Sequence, residues 1–95
     1  MISLTVQLYS ELASKLQREL GGSGDFFNGR VEYDTEQFYS TLTCTLIIYR
    51  KKTLEGGNSP EIENIVPVWW EYSIWVDGIE EENDFSWSEF RKYLF

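Results

Sequence analysis

The 95-residue sequence has no histidine, one cysteine and two prolines, and its 8 basic side chains are outnumbered by 16 acidic ones. Each scarcity removes a class of chemistry. Without histidine there is no Ser-His-Asp or Cys-His nucleophile and no His-based zinc site. Cys44 alone can form neither an intrachain disulfide nor a thiolate cage, which suits a reducing compartment. No stretch approaches 18 consecutive apolar residues, the length a membrane-spanning helix requires. The opening residues, Met1 to Leu8, carry no basic stretch and no small-residue cleavage site. We therefore expect a soluble, cytoplasmic protein with no membrane partner. The glycine runs Gly21-Gly22-Ser23-Gly24 and Gly56-Gly57 lack the lysine and the spacing of a phosphate cradle, so no cofactor is expected.

What remains is acidic and aromatic. The net charge is −8, 42% of the residues are hydrophobic and 17% are aromatic. Aromatic rings bury about 150–250 Å² each, so the chain can build a core. Its length suits one domain, residues 1–95, burying about two-thirds of its unfolded surface.

The first element reads as an amphipathic helix. Leu4, Leu8, Leu12, Leu16 and Leu20 recur every four residues with Ala13 beside them. Ser3 is placed to cap it, and Gly21-Gly22 to end it. A rival reading applies to residues 2–8, where Ile2, Leu4, Val6 and Leu8 alternate as in a strand. Residues 21–25 then read as a flexible loop.

Three strand patterns follow. Asn28–Tyr33 sets Gly29, Val31 and Tyr33 against Arg30 and Glu32, and Asp34-Thr35-Glu36 turns the chain. Gln37–Arg50 sets Phe38, Leu42, Cys44, Leu46 and Ile48 against Tyr39, Thr41, Thr43, Thr45, Ile47 and Tyr49. Asn64–Asp77 sets Val66, Val68, Trp70, Tyr72, Ile74 and Val76 against Trp69, Glu71, Ser73 and Trp75. Lys51–Glu63 reads as a long hairpin loop. Pro67 cannot donate to a ladder, so the third strand should lie on an edge there.

Ser86-Trp87-Ser88-Glu89 spells a capping box, with Phe85 and Phe90 as a hydrophobic staple. Trp87, Phe90 and Leu94 then share a helix face, and Arg91 and Lys92 suit the helix C-terminus. The expected fold is α+β in the order α-β-β-β-α. A three-stranded antiparallel meander carries two helices packed on one face.

That order is also the order of double-stranded-RNA-binding domains, where binding needs cations against phosphate. Here the segment before the second helix is Asp77-Gly78-Ile79-Glu80-Glu81-Glu82-Asn83-Asp84. Only Arg50-Lys51-Lys52 clusters positive charge. Topology alone carries no function, and no nucleic-acid partner is expected.

Asp77, Glu80, Glu81, Glu82 and Asp84 put five carboxylates into eight residues. Their spacing does not match a calcium loop, and no metal site is expected. They read as a solvated loop, with docking to a basic partner as the functional alternative. Glu32 and Glu71 share the outward sheet face about 10 Å apart across one intervening strand. A bare sheet offers no cleft to separate their pKa values, and the protein is expected not to be an enzyme. Cys44 alternates onto the apolar face as a buried, inert thiol.

One pattern asks for a partner. Alternation turns Trp69 and Trp75 outward beside Ile47, Tyr39 and Tyr49, on a face that would ordinarily be polar. We expect a small acidic, non-catalytic interaction module that binds a protein partner or a second copy through this aromatic face. The first helix or the Lys51–Glu63 loop folding across that face is the competing arrangement. An acidic inhibitor of a basic enzyme, of the immunity or nucleic-acid-mimicking kind, is the functional alternative.

Overall fold

A computed structural model of the protein describes residues 1–21, 24–52 and 58–94. Among these the chain forms helix α1 (Val6–Gly21), strands β1 (Phe26–Asp34), β2 (Tyr39–Lys52), β3 (Asn58–Val76) and β4 (Ile79–Glu81), and helix α2 (Trp87–Phe90). A single 3-10 turn, Arg91–Tyr93, continues α2. The fold is α+β, with an antiparallel sheet of order β1-β2-β3-β4.

The sheet thus has a fourth strand where three were expected. Asp77 and Gly78 both have positive φ, 53° and 78°, as the two central residues of a type I′ hairpin turn require. The turn folds Ile79, Glu80 and Glu81 back on Val76, Trp75 and Ile74. The acidic segment is therefore not a loop throughout. An Asp-Gly pair after an alternating strand is a strong hairpin signal, and it was legible in the sequence.

Helix α1 begins later than the leucine period implies. Thr5 is the cap, not Ser3: its Oγ1 accepts from the Leu8 amide at 3.1 Å and its carbonyl accepts from Tyr9. The residues before it are committed elsewhere. Ile2 donates to the Glu82 carbonyl and accepts from the Asp84 amide, forming a parallel bridge at Asn83. Leu4 donates to Asp84 Oδ1 at 2.7 Å. Backbone groups spent on the C-terminal segment cannot start a helix. At the other end, Arg50 Nη2 donates to the Leu20 carbonyl at 3.3 Å, supplying a cation where the helix dipole is negative. Residues 22–23 of the expected loop lie outside the described residues.

Leu8, Leu12, Ala13, Leu16 and Leu20 of α1 are buried against Leu42, Cys44, Leu46 and Ile48 of β2. Full burial of a leucine contributes about 2 kcal/mol, so α1 is held by its stripe rather than by propensity. Trp87, Phe90 and Leu94 enter the same core. The Phe85–Phe90 staple forms, with ring centroids 5.6 Å apart. Both helices lie on this inner face, as expected.

Only half of the capping box forms. Ser86 Oγ accepts from the Glu89 amide at 3.4 Å. The Ser86 amide, however, donates to the Tyr9 hydroxyl, and the Glu89 carboxylate pairs with Lys92 at 3.1 Å. A phenol from α1 occupies the place the carboxylate would take.

In β3 the side-chain phase first changes beyond Trp69, and the pairing with β2 shifts again beyond Asn64 and beyond Ile62. Trp69 faces Thr45 but Pro67 faces Leu46, so Val68 is the extra residue of a β-bulge. The expected placement of Val66 and Val68 on the inner face is thereby corrected. Ile65 is the buried residue opposite Ile48, while Val66 and Val68 are exposed. Pro67 sits at this bulge, and β4 pairs only with Ile74–Val76, so the free margin beside Pro67 needs no donor from it. Trp70 keeps the inner phase yet is 42% exposed, its ring tilted against Trp87 at 5.6 Å. The expected long loop is shorter, since β2 reaches Lys52 and β3 starts at Asn58. Gly56 and Gly57 lie outside the described residues.

Candidate functional site

The face of the sheet opposite the helices is ordered by its register into rows across β1, β2 and β3. They read Phe26–Ile47–Val66, Asn28–Thr45–Trp69, Arg30–Thr43–Glu71, Glu32–Thr41–Ser73 and Asp34–Tyr39–Trp75. Glu80 of β4 extends the last row. The sequence-predicted residues Trp69, Trp75, Ile47, Tyr39 and Tyr49 all belong to this face. Both helices pack on the other side, and Trp69 is 48% and Tyr49 51% exposed. Among the described residues nothing covers the apolar end.

The five do not form one patch. Trp69 and Trp75 are six residues apart on one strand, about 20 Å. Trp69 joins Ile47, with Tyr49 one pair further along β2. Trp75 instead packs on Tyr39, with ring centroids 5.5 Å apart. A polar band of Arg30, Glu32, Thr41, Thr43, Glu71 and Ser73 separates the two ends. A shallow depression of about 280 Å³ lies over this band.

Two residues of the apolar end escaped the sequence reading. Phe26 is 57% exposed at the head of β1, which begins two residues earlier than its alternation suggested. Val66 joins because the bulge turns it outward. No sequence signal marks the bulge except Pro67.

The band carries a modest electrostatic pattern. Arg30 and Glu32 approach to 4.0 Å, both well exposed, where an ion pair contributes about 0–1 kcal/mol. The Tyr39 phenol is raised by desolvation and then by the Glu32 carboxylate, to which it donates. Glu32 and Glu71 stand in adjacent rows two strands apart, about 12 Å by strand spacing and rise.

The acidic candidates are dispersed. Asp77 sits in the hairpin turn, Glu80 and Glu81 alternate across β4, and the Glu82 carbonyl holds Ile2. Asp84 accepts from Leu4. All five side chains remain exposed, but they do not share one surface. Cys44 is fully buried, and burial pushes its thiol up to about 11.

On the helix side, an open groove of about 440 Å³ lies between the start of α1 and the β1–β2 turn, lined by Ile2, Leu8, Tyr33, Phe38 and Val76. Its polar lining consists of hydroxyl and amide side chains, such as Ser3, Thr5 and Gln37, with no carboxylate, amine, guanidinium or thiol. No sequence pattern marks it, because it is assembled from three separate stretches of chain. Among the described residues, no three His, Cys, Asp or Glu side chains come together as a metal-holding group, and no helix is long and apolar enough to cross a membrane.

No protein-family model matches the chain, and no curated protein or solved structure is significantly similar to it.

Proposed function

We propose that the protein is a small non-catalytic interaction module of the cytoplasm, docking another folded protein on the outer face of its sheet. The observation that carries this is the uncovered apolar end. Phe26, Ile47, Val66 and Trp69 lie in two adjacent rows, and each is at least one-third exposed. A solvated antiparallel face ordinarily alternates to polar residues, and contiguous apolar surface on a monomer marks an interaction site. Tryptophan and tyrosine supply large contact area at low entropic cost and serve as interface anchors.

Site-specific photo-crosslinking in the native host tests the reading. A photoreactive phenylalanine analogue at Phe26 or Tyr49 should give discrete protein adducts. The same probe at Ser14, on the exposed side of α1, should give none. Adducts from Ser14 alone, or from no position, would overturn it. The acidic-inhibitor reading rests on the net charge of −8. It requires adducts from Glu80 to Glu82 and a complex that weakens steeply with salt.

A further inference from the structure

We infer that the occupant of the outer face is a second copy of this chain, packed face to face about a two-fold axis running along β2. The inference rests on the docking role proposed for this face and names its partner.

The order of the rows on this face selects the partner. An isologous interface must be complementary to itself. A two-fold axis lying between the sheets and parallel to β2 sets β1 of one copy over β3 of the other while preserving the rows. In the middle row, Arg30–Thr43–Glu71, it sets Arg30 of each copy over Glu71 of the other and Thr43 over Thr43. In the apolar end row it sets Phe26 over Val66 and Ile47 over Ile47. Trp69 comes to lie over Asn28, beside Phe26. In the far row Trp75 faces Asp34, where the indole N–H meets a carboxylate. No row sets like charges against each other on reversal, since Glu32 then faces Ser73 and Asp34 faces Trp75.

The alternative axis, in the same plane but perpendicular to the strands, lacks this property. The middle row is the third of five, so that operation stacks Arg30 on Arg30 and Glu71 on Glu71. It also sets the apolar end row on the row carrying Asp34. Like charges at close quarters across an interface oppose association. The register therefore selects one axis. Sheets packed this way lie about 10 Å apart with strands within about 30° of each other. The central row lies at the middle of the footprint, where the two sheets cross, and is least displaced by that angle.

The area sets the strength. From Tyr39 to Tyr49, across three strands, the footprint is about 34 by 14 Å, or roughly 500 Å² per copy, at the low end for specific interfaces. An interface of this size belongs to the weak class, and the dimer is expected only at high protein concentration. Each copy carries −8, so screening of long-range repulsion by salt should strengthen the dimer, the opposite of a complex with a basic partner.

The test is a charge exchange read by sedimentation equilibrium at up to several hundred micromolar. Wild type should dimerise. Arg30→Glu and Glu71→Arg should each weaken self-association at least tenfold, since each homodimer then holds two like-charged contacts. An equimolar mixture of the two variants should recover the wild-type affinity as a heterodimer, because both contacts are then of opposite sign. Both positions are exposed, so unchanged thermal midpoints at low concentration will show the variants folded. Trp69→Glu should abolish the dimer. A wild type that stays monomeric overturns the second copy as occupant; adducts from Phe26 or Tyr49 to a different protein would then leave the docking face standing. A wild type that dimerises while the mixed variants do not recover overturns the axis.

Discussion

The Tyr9 hydroxyl accepts a hydrogen bond from the Ser86 backbone amide at 3.1 Å, joining residues 77 positions apart. The same ring stacks on Tyr93 at 5.7 Å and packs against Phe85. One side chain of α1 thus both caps the start of α2 and fixes its distance from α1.

Tyr9→Phe keeps the ring contacts and removes the acceptor. The partly buried Ser86 amide is then unsatisfied, which costs about 1–2 kcal/mol. Urea unfolding of the two proteins should show a lowered midpoint with an unchanged slope. An unaltered midpoint would mean that water serves the amide equally well.

The half-formed capping box separates two substitutions that a full box would make equivalent. Ser86→Ala removes the acceptor of the Glu89 amide and should cost about 1 kcal/mol. Glu89→Ala breaks only the exposed pair with Lys92 and should cost about 0.3 kcal/mol. Equal losses in a denaturation series would show the Glu89 carboxylate reaching back to Ser86.

Gly78 has φ of +78° in the turn before β4. Gly78→Ala places a Cβ in the left-handed region and should cost about 1–2 kcal/mol. The loss should be local: amide exchange at Ile79 and Glu81 should accelerate while the β1–β2 amides keep their protection. Asp77→Asn, which tolerates positive φ at least as well, should leave β4 intact.

Cys44 titrates in the direction that burial dictates. Its thiol is raised from 9.0 to about 11 in the folded protein, so the native state holds its proton after the unfolded chain has lost it. This contribution is fully present below about pH 9 and is lost as pH rises toward 11, up to about 3 kcal/mol. Tyr9 and Tyr72, also raised by burial, add in the same sense at higher pH. Unfolding free energy measured from pH 8 to 10.5 should fall more steeply in wild type than in Cys44→Ala. The thiol should react with an alkylating reagent only on unfolding.

Periodicity carried much of the fold. The four-residue recurrence from Leu8 to Leu20 and the alternation from Ser40 to Ile48 each needed only one apolar environment on one side. Any structure with a single core satisfies both patterns in the same way. Tertiary structure decided the places where two local solutions were equally apolar or equally polar. Ile65 and Val66 are both β-branched neighbours, and only the bulge opposite β2 settles which is buried. Glu89 could reach Ser86 or Lys92, and a phenol from the other helix settles it. Ser3 and Thr5 can both cap, but the C-terminal segment claims the backbone of Ile2 and Leu4 first. The outer face follows the same division. Alternation along β2 and β3 turned Trp69, Trp75, Ile47, Tyr39 and Tyr49 outward, but alternation has no memory of register between strands. Pairing alone divided them into two ends, added Phe26 and Val66, and set Arg30 and Glu71 in one row, because a row exists only once three strands lie side by side.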